Sequence, residues 1–564
     1  MIYSVAVTAF LAYITWSLVS LEINARKAQA LGIHCVRIPF DVTNVLWLAL
    51  QPSFWAILDR LPVPWSSYPD FVRLSRRDWQ FREKSELAVR LGPVWALVTP
   101  VTFYLQFTDP QAIKGIFARP SHFMRPVKEY KLLEVYGPCI STAGWEDWAR
   151  HRKIIAAPFN ESIMKFVWDE ATRQTKAMLD SWIESQSTGI PSVQKDTQTL
   201  ALNVLAATAL KKTYNFRGSG ETGVQDEAGS YRDTIQIVLN NAILIMLIPY
   251  RFLHGPLIPR KLARVGEAAE AFKSHMVGML DNETQALRKN QAGSGGILSG
   301  LVRALDLHHN EPSADSQGKK GLSIEETLGD LFVINFAGYD TSAAALSFSL
   351  HLLAIYPEVQ EWLAEEIAAV STSEDVADWD YKAMFPRLKR CQAILLETLR
   401  LYPPIVSLPK WTGANAQELD IGHETVTIPP GVYTAPHLIA VHTHPDYWTD
   451  PYSWTPRRWI FSGQVPTSGL ELFVQEKIVE PLANTYFPWS ETPQNCPGKK
   501  FIQVEAVAVF ARLFKSHRLS VKAEAGENAQ ATKIRLLRCV NNVNMDVILR
   551  MEHSKDLRLI CTEA

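Results

Sequence analysis

The stretch FPWSETPQNCPGKKF, residues 487–501, decides how this chain is read. One cysteine, Cys496, stands in a turn rich in proline, serine and asparagine. Pro497 and Gly498 follow it, and then the apolar run VEAVAVFARLF. Proline suits the first position of a helix, and the unpaired N–H groups there favour negative charge. A thiol held at such a place has its pKa lowered toward the thiolate. Gly498 lets the backbone approach a flat ligand closely. A sulfur of this kind, ringed by amides above an apolar helix, is what an axial thiolate ligand of haem iron requires. From the loop alone, a buried structural cysteine is the competing reading.

The totals exclude several other chemistries. Six cysteines (35, 139, 391, 496, 539 and 561) include no CxxC pair, so neither a disulfide framework nor a zinc spacing is present. With 564 residues, 20% charged and 47% hydrophobic, the chain has an ordinary globular composition and length for about three domains. A net charge of −1 gives no support for nucleic-acid binding.

Residues 1–21, MIYSVAVTAFLAYITWSLVSL, contain no Asp, Glu, Lys or Arg. About 20 apolar residues span a bilayer core as helix. No basic residue precedes the run and Glu22, Ile23 and Asn24 follow it, which favours an uncleaved anchor over a signal peptide. Arg26, Lys27 and Arg37 on its far side place the body in the cytosol. The sequons at Asn160 and Asn282 then stay unglycosylated. The patch VLWLALQPSFWAIL (45–58), interrupted by Pro52, reads as an interfacial or docking segment. Leu61-Pro62-Val63-Pro64 reads as a stiff joint. The expected division is an anchor at 1–21, a membrane-associated segment and joint at 22–65, and a catalytic body at 66–564.

The body reads as mostly helical, with strand-like pieces at 94–98, 103–107 and 426–433. Asp109-Pro110 starts a helix. The run 234–253 is apolar on nearly all faces, and 308–320 is a polar loop. No repeat of fixed period is present. Residues 218–223 match GxGxxG, but no strand precedes them and no helix follows. They read as a flexible loop, so the chain shows no nicotinamide or flavin site of its own.

Leu328 to Tyr356 reads as one long apolar helix with Ala337-Gly338-Tyr339-Asp340-Thr341-Ser342 in its middle. Two small residues thin the helix so that a ligand can lie on its backbone. A buried Asp-Thr pair is costly unless hydrogen-bonded or employed, and it can relay protons into a dry cavity. Phe332, Phe336 and Ala337 here, with Ile405, Val406 and Ser407 further on, are candidate walls of an apolar pocket. Glu397 and Arg400, at i,i+3, share a helix face. Glu170 and Arg173 do the same, so the order of the motifs carries the weight. Arg458 can complete a Glu-Arg-Arg cluster bracing the cysteine loop. Trp148 and Arg152, at i,i+4, can both donate to a carboxylate.

This ordered set, from about residue 66 to 550, resembles the cytochrome P-450 superfamily of haem-thiolate monooxygenases, with the N-terminal anchor of its microsomal members. The wording PWSxxPQNCPGKKF is most similar to fungal members. The resemblance implies a mainly α fold with small β-sheets, a long central helix over the haem and an N-terminal transmembrane helix. It implies haem b (iron protoporphyrin IX), with Cys496 as the iron's axial ligand and Gly498, Ala337 and Gly338 beside the cofactor. Thr341 would hydrogen-bond the oxygen being activated, and Asp340 would help deliver protons. Glu397, Arg400 and Arg458 would form the structural triad, and Trp148 and Arg152 would hold haem propionates. The family's cysteine signature has Phe, Gly and Arg where this chain has Trp489, Thr492 and Gln494. The missing Arg leaves a propionate contact open, for which Lys410 is a substitute. Thr for Gly would strain a tight turn.

The implied activity is oxidation of a lipophilic small molecule, such as a terpenoid, polyketide or alkaloid intermediate of fungal secondary metabolism. O2 is the oxidant. A separate NADPH-dependent reductase supplies electrons, with cytochrome b5 as a second donor. The implied place is the endoplasmic reticulum membrane, single-pass. Arg150, His151, Arg152, Lys153, Lys499 and Lys500 could form a basic face for an acidic reductase. Two other classes stay open: a haem-thiolate isomerase or dehydratase that uses no O2, against which the Asp340–Thr341 pair speaks, and a non-catalytic haem or scaffold protein.

Overall fold

In the computed structural model the N-terminal helix runs Ile2–Gln29, past the 21 residues expected of the anchor. Its first 20 residues span about 30 Å, the thickness of a hydrocarbon core, and Phe10, Leu11 and Trp16 on it are exposed. Its last turns belong to the body. Ala25 and Ala28 are buried against the main sheet. Asn24 donates to the carbonyls of Thr99 and Pro100 at 3.0 and 3.2 Å. Glu22 accepts from Arg26 and Arg37, each at 2.9 Å. The expected boundary at residue 21 therefore falls inside one continuous helix. The patch 45–58 forms a helix of its own, capped by Asn44, with Trp55 buried and Val45, Leu46, Leu50 and Ile57 exposed.

The structure describes residues 2–564 apart from 186, 221–230, 290, 292–294, 306–320, 372, 374–378, 423 and 464–469. The loop read at 308–320 and residues 221–223 of the GxGxxG match lie outside the described residues.

The main sheet joins β1 (His34–Arg37), β2 (Val94–Val98), β3 (Phe103–Phe107), β4 (Lys410–Trp411) and β7 (Tyr433–Pro436) in the order β1-β2-β3-β7-β4. β1 runs parallel to β2, β3 antiparallel to β2, and β7 parallel to β3. β2 reads VWALV with all five residues buried, as expected of a strand covered on both faces. The stretch expected as one strand at 426–433 divides in two. β6 (Glu424–Ile428) pairs with β5 (Gln417–Ile421) as a hairpin. Pro429 and Pro430 then end the ladder, because proline has no N–H to give it. Gly431, at φ 71°, turns the chain into β7.

The apolar run 234–253 breaks into helices Tyr231–Asn240 and Ala242–Leu247 and a 3-10 turn at Tyr250–Phe252. The central helix runs Ile324–Ile355. It starts earlier than the apolar pattern indicates because Ser323 and Glu326 form a reciprocal capping box. Gly329 lets the segment Gly137-Pro138 lie on its backbone: a Cβ there would stand 2.3 Å from the Pro138 carbonyl oxygen. The cysteine helix, Lys499–Phe514, packs on the helix Glu161–Glu184. Between the central and cysteine helices, touching both, lies the helix Lys389–Leu401 that carries Glu397 and Arg400.

Candidate active site

Glu397 and Arg400 are completely buried. Arg400 grips Glu397 as a fork, Nε to Oε2 and Nη2 to Oε1, both at 2.9 Å. The carboxylate also accepts from the Thr455 backbone N–H (2.8 Å), Arg458 Nε (3.1 Å) and Trp459 Nε1 (2.9 Å). Arg400 spends its remaining donors on the carbonyls of His442, Pro451 and Ser453. Arg458 reaches the Thr449 carbonyl at 2.6 Å. The three residues expected to cluster are thus brought together, although helix spacing alone brings only the first two.

The cluster reaches the cysteine loop through His442. Its carbonyl takes Arg400, while its ring Nε2 accepts the backbone N–H of Phe487, first residue of the loop, at 2.8 Å. Burial drives the His442 pKa down to about 3, with Arg400 adding to the effect. The ring is therefore neutral and free to accept. Within the loop, the Cys496 N–H donates to the Trp489 carbonyl at 2.9 Å. The left-handed residue is Ser490, at φ 61°, and Thr492 has no positive φ, so no left-handed strain falls where the family's glycine would stand.

Two details of the cysteine differ from the sequence reading. The helix begins at Lys499 with Gly498 as its N-cap, so Pro497 lies outside it. Burial pushes the Cys496 thiol up, and the Gly498 N–H and Arg152 only partly pull it back. Desolvation outweighs the helix start here, and the thiolate needs a cation at the sulfur itself. The cysteine is nonetheless open to contact, the one exposed cysteine among the described residues.

Around it stand three cations, Arg152, Arg125 and Lys410. Arg152 donates to the carbonyl and side chain of Asn495 at 3.0 and 2.6 Å. Arg125 donates to the Ile140 carbonyl at 2.9 Å. Lys410 donates to the Gln494 side chain at 2.7 Å, so it meets the residue that replaces the family's arginine. Among the described residues none of the three has a carboxylate partner. Burial lowers all three pKa values, Lys410 to about 7 with Arg125 as the second cause. The buried Trp148 indole N–H has no acceptor among the described residues. Three desolvated cations and an orphaned donor fit the two carboxylates of a haem. Arg125 and its part in the group were missed from sequence, because FMRPVKEY shows no motif.

The central helix shows an open face in a buried rod. Ile334, Ala337, Gly338 and Thr341, at i, i+3, i+4 and i+7, are all at least partly exposed while most of the helix is buried. The Thr341 hydroxyl donates to the Ala337 carbonyl at 2.7 Å. Asp340 does not share this face: its carboxylate is paired with Arg550. Of the expected walls, Phe336 and Ile405 stay half-buried. Phe332 and Val406 are core residues, Phe332 packing on Tyr136. The Ser407 hydroxyl is turned to the Pro436 carbonyl.

The comparisons with known proteins agree with this geometry. The cytochrome P450 family model matches residues 61–543. The chain belongs to the cytochrome P450 family. A cytochrome P450 monooxygenase of Arthrobotrys oligospora is 28% identical, with 96% of this chain and 95% of that protein covered. A P450 monooxygenase of Penicillium roqueforti is 27% identical over 91% of this chain and 90% of its own length. A Leptosphaeria maculans P450 monooxygenase named for a phomenoic acid biosynthesis cluster is 26% identical, over 94% of each. The crystal structure of the cytochrome P450DA haem domain has the same fold, with a TM-score of 0.60, 18% identity and coverage of 86% of this chain and 92% of that one. The protein is a P450 monooxygenase with haem as its cofactor.

In this P450 the basic face is smaller than expected. Arg150 is bound by Glu326 at 2.7 Å. His151 is buried on Asp330 at 2.7 Å. Arg152 serves the cysteine loop. Lys153, Lys499 and Lys500 remain exposed.

Sequence reasoning also passed over Glu505. It is fully buried on the cysteine helix, with the Ser342 hydroxyl beside its carboxylate. Burial lifts its pKa to about 8, with the Ser342 hydroxyl pulling it partly back. An acid midway along an apolar run is the signal that was available.

Two stability predictions follow from these buried charges. Arg400→Met strands the Glu397 carboxylate and is expected to cost about 3–5 kcal/mol, while Lys165→Met, at an exposed pair with Asp169, costs about 0–1 kcal/mol. Thermal unfolding of the two variants checks this. For Glu505 the raised pKa means that the folded state holds the proton more tightly than the unfolded one. Stability is then full below the ordinary value of 4.5 and falls as pH rises toward about 8, with a limiting slope of about 1.4 kcal/mol per pH unit. Glu505→Gln is expected to gain on wild type in melting temperature between pH 5 and pH 8. Parallel pH profiles would refute it.

Proposed function

We propose that this P450 is a membrane-anchored enzyme in which Cys496 is the iron ligand and a lipophilic small molecule is the substrate. The observation that carries this reading is the set around Cys496: an open thiol, with buried Lys410, half-buried Arg125 and Arg152 and the Trp148 indole N–H, none of which has a carboxylate partner among the described residues. Arg152, Arg125, Lys410 and Trp148 would hold the haem propionates. Bound there, the haem supplies the activation of O2 and its insertion into a substrate bond.

The chain's own residues do the rest. The Glu397–Arg400–Arg458 cluster, through His442, fixes the loop so that the thiol keeps one position. Ala337 and Gly338 leave room for a flat group on the open helix face. Thr341 presents a hydroxyl there and Asp340, its neighbour, is the acid that recharges it. One oxygen atom enters the substrate and the other leaves as water, with two protons and two electrons consumed. Ile334, Phe336 and Ile405 offer apolar contact, which suits a lipophilic substrate. A relative named for a biosynthetic cluster supports a place in fungal secondary metabolism. The exposed apolar N-terminal helix supports anchoring at the endoplasmic reticulum. The electron donor would be a separate NADPH-dependent reductase, with cytochrome b5 as an accessory, docking at Lys153, Lys499 and Lys500.

Reconstituting the full chain in vesicles with such a reductase tests the reading. A panel of lipophilic compounds is screened for spin-state shifts, and binders are turned over under 18O2. One labelled oxygen per product is expected, with NADPH consumed. Product formed without NADPH and without label would instead make this an isomerase or dehydratase. Lys499→Glu with Lys500→Glu is expected to raise the KM for reductase several-fold at low salt; an unchanged KM removes that docking face.

A further inference from the structure

Between the helix Val45–Leu58 and the body lies a cavity of about 110 Å3, and no residue of the active site lines it. Ile38 and Leu74, both fully buried, and Trp79, 6% exposed, form its floor. The half-buried Phe40, Val42, Trp47 and Leu48 form its mouth. The Phe40 and Trp47 rings lie 4.2 Å apart. An apolar cavity of about 150 Å3 takes a benzene ring, so this one has room for a short stretch of hydrocarbon.

Most polar side chains on the wall are already engaged. The Trp47 indole donates to the Ser75 carbonyl at 2.9 Å, and the Ser75 hydroxyl to the Val72 carbonyl at 2.6 Å. Arg76 pairs with Asp59 and Asp78. Gln51, 5% exposed, accepts the Arg77 backbone N–H at 2.7 Å through its Oε1. The Gln51 amide N–H2 and the Trp79 indole N–H make no hydrogen bond among the described residues. Buried donors are almost always satisfied, so these two call for acceptors brought by an occupant.

The roof faces lipid. VLWLALQPSFWAIL carries no charge, and Val45, Leu46, Leu50 and Ile57 on its outer side are exposed. An uncharged helix that is apolar on both sides belongs in hydrocarbon or at its edge. The depth agrees. The Ser17 hydroxyl of the N-terminal helix donates to the Pro39 carbonyl at 3.3 Å. Ser17 lies about 6 Å along that helix from Leu21, where the uncharged run ends. The mouth, beside Pro39, therefore stands at the level where acyl chains meet their ester carbonyls.

We propose that this cavity is a phospholipid site: the first carbons of one acyl chain lie among Phe40, Trp47 and Trp79, and the ester carbonyl accepts from Gln51 and Trp79. The inference rests on the membrane anchoring proposed above. An occupant there braces the anchor against the body. Gln51 holds Arg77, and Arg77 pairs with Asp546, just beyond the short strand Val543–Asn544.

The test uses the full-length holoenzyme in phosphatidylcholine vesicles. A small fraction of the lipid carries a diazirine near the ester end of one chain. After irradiation the labelled residues are located by mass spectrometry. Adducts are expected on Leu46 and Leu50, which face the bilayer, and also on Leu74 and Trp79, which a lipid reaches only through the cavity. Leu48→Trp and Val42→Phe, which fill the mouth from two sides, are expected to abolish the Leu74 and Trp79 adducts and to leave those on Leu46 and Leu50. Haem content and far-UV circular dichroism control for folding, and either variant decides if the other does not fold. Wild-type adducts confined to the outer side overturn the site, as do Leu74 and Trp79 adducts that survive the substitutions. A diazirine fatty acid that labels the floor where the phospholipid does not overturns phospholipid as the occupant. If Phe10, Leu46 and Leu50 stay unlabelled as well, the anchoring falls and the site with it.

Discussion

A carboxylate with no access to water, that of Glu397, organises the centre of this enzyme. Burying such a charge is costly unless geometry and hydrogen bonds repay the lost hydration. Here Glu397 accepts from both arms of Arg400, from Arg458, from Trp459 and from a backbone N–H. The demand of one buried anion thereby fixes segments that are distant in sequence. Arg400 carries the order on to the His442 carbonyl, and the His442 ring carries it to the first residue of the cysteine loop. Removing any link frees the loop, and with it the position of the thiol.

The loop departs from the family's wording and the surroundings answer. Gln494 stands where an arginine would bring a positive charge, and β4 supplies Lys410 to that point instead. The charge has moved from the loop to the sheet without leaving the site. Arg125 shares the same space and depresses Lys410 further. Three cations close together, one of them buried and two half-buried, repel one another, so the arrangement makes physical sense only with negative charge among them. The propionates of the family's cofactor answer that need.

Much of this was legible in the residues. β2 and β3 were visible as short apolar runs, the helix after Asp109 through its cap and proline, and the order of the Asp-Thr, Glu-Arg, Pro-Arg-Arg and cysteine motifs pointed to the fold. The failures have local causes. The capping box at Ser323 and Glu326 extends the central helix beyond its apolar stretch. Phe332 looked like a pocket wall because hydrophobicity does not tell a cavity from a core. The six basic residues looked like one surface, yet Arg150 and His151 have buried acids on the central helix as partners. The Asp340–Arg550 pair joins residues some 200 positions apart, and no periodicity reaches so far.

The thiol of Cys496 bound to iron is the central claim, and X-ray absorption at the iron edge of the purified full-length holoenzyme tests it most directly. A sulfur neighbour of the iron is expected in the wild type and should vanish in Cys496→Ser at unchanged haem content. An iron environment without sulfur in the wild type, or one that the substitution leaves untouched, would contradict it.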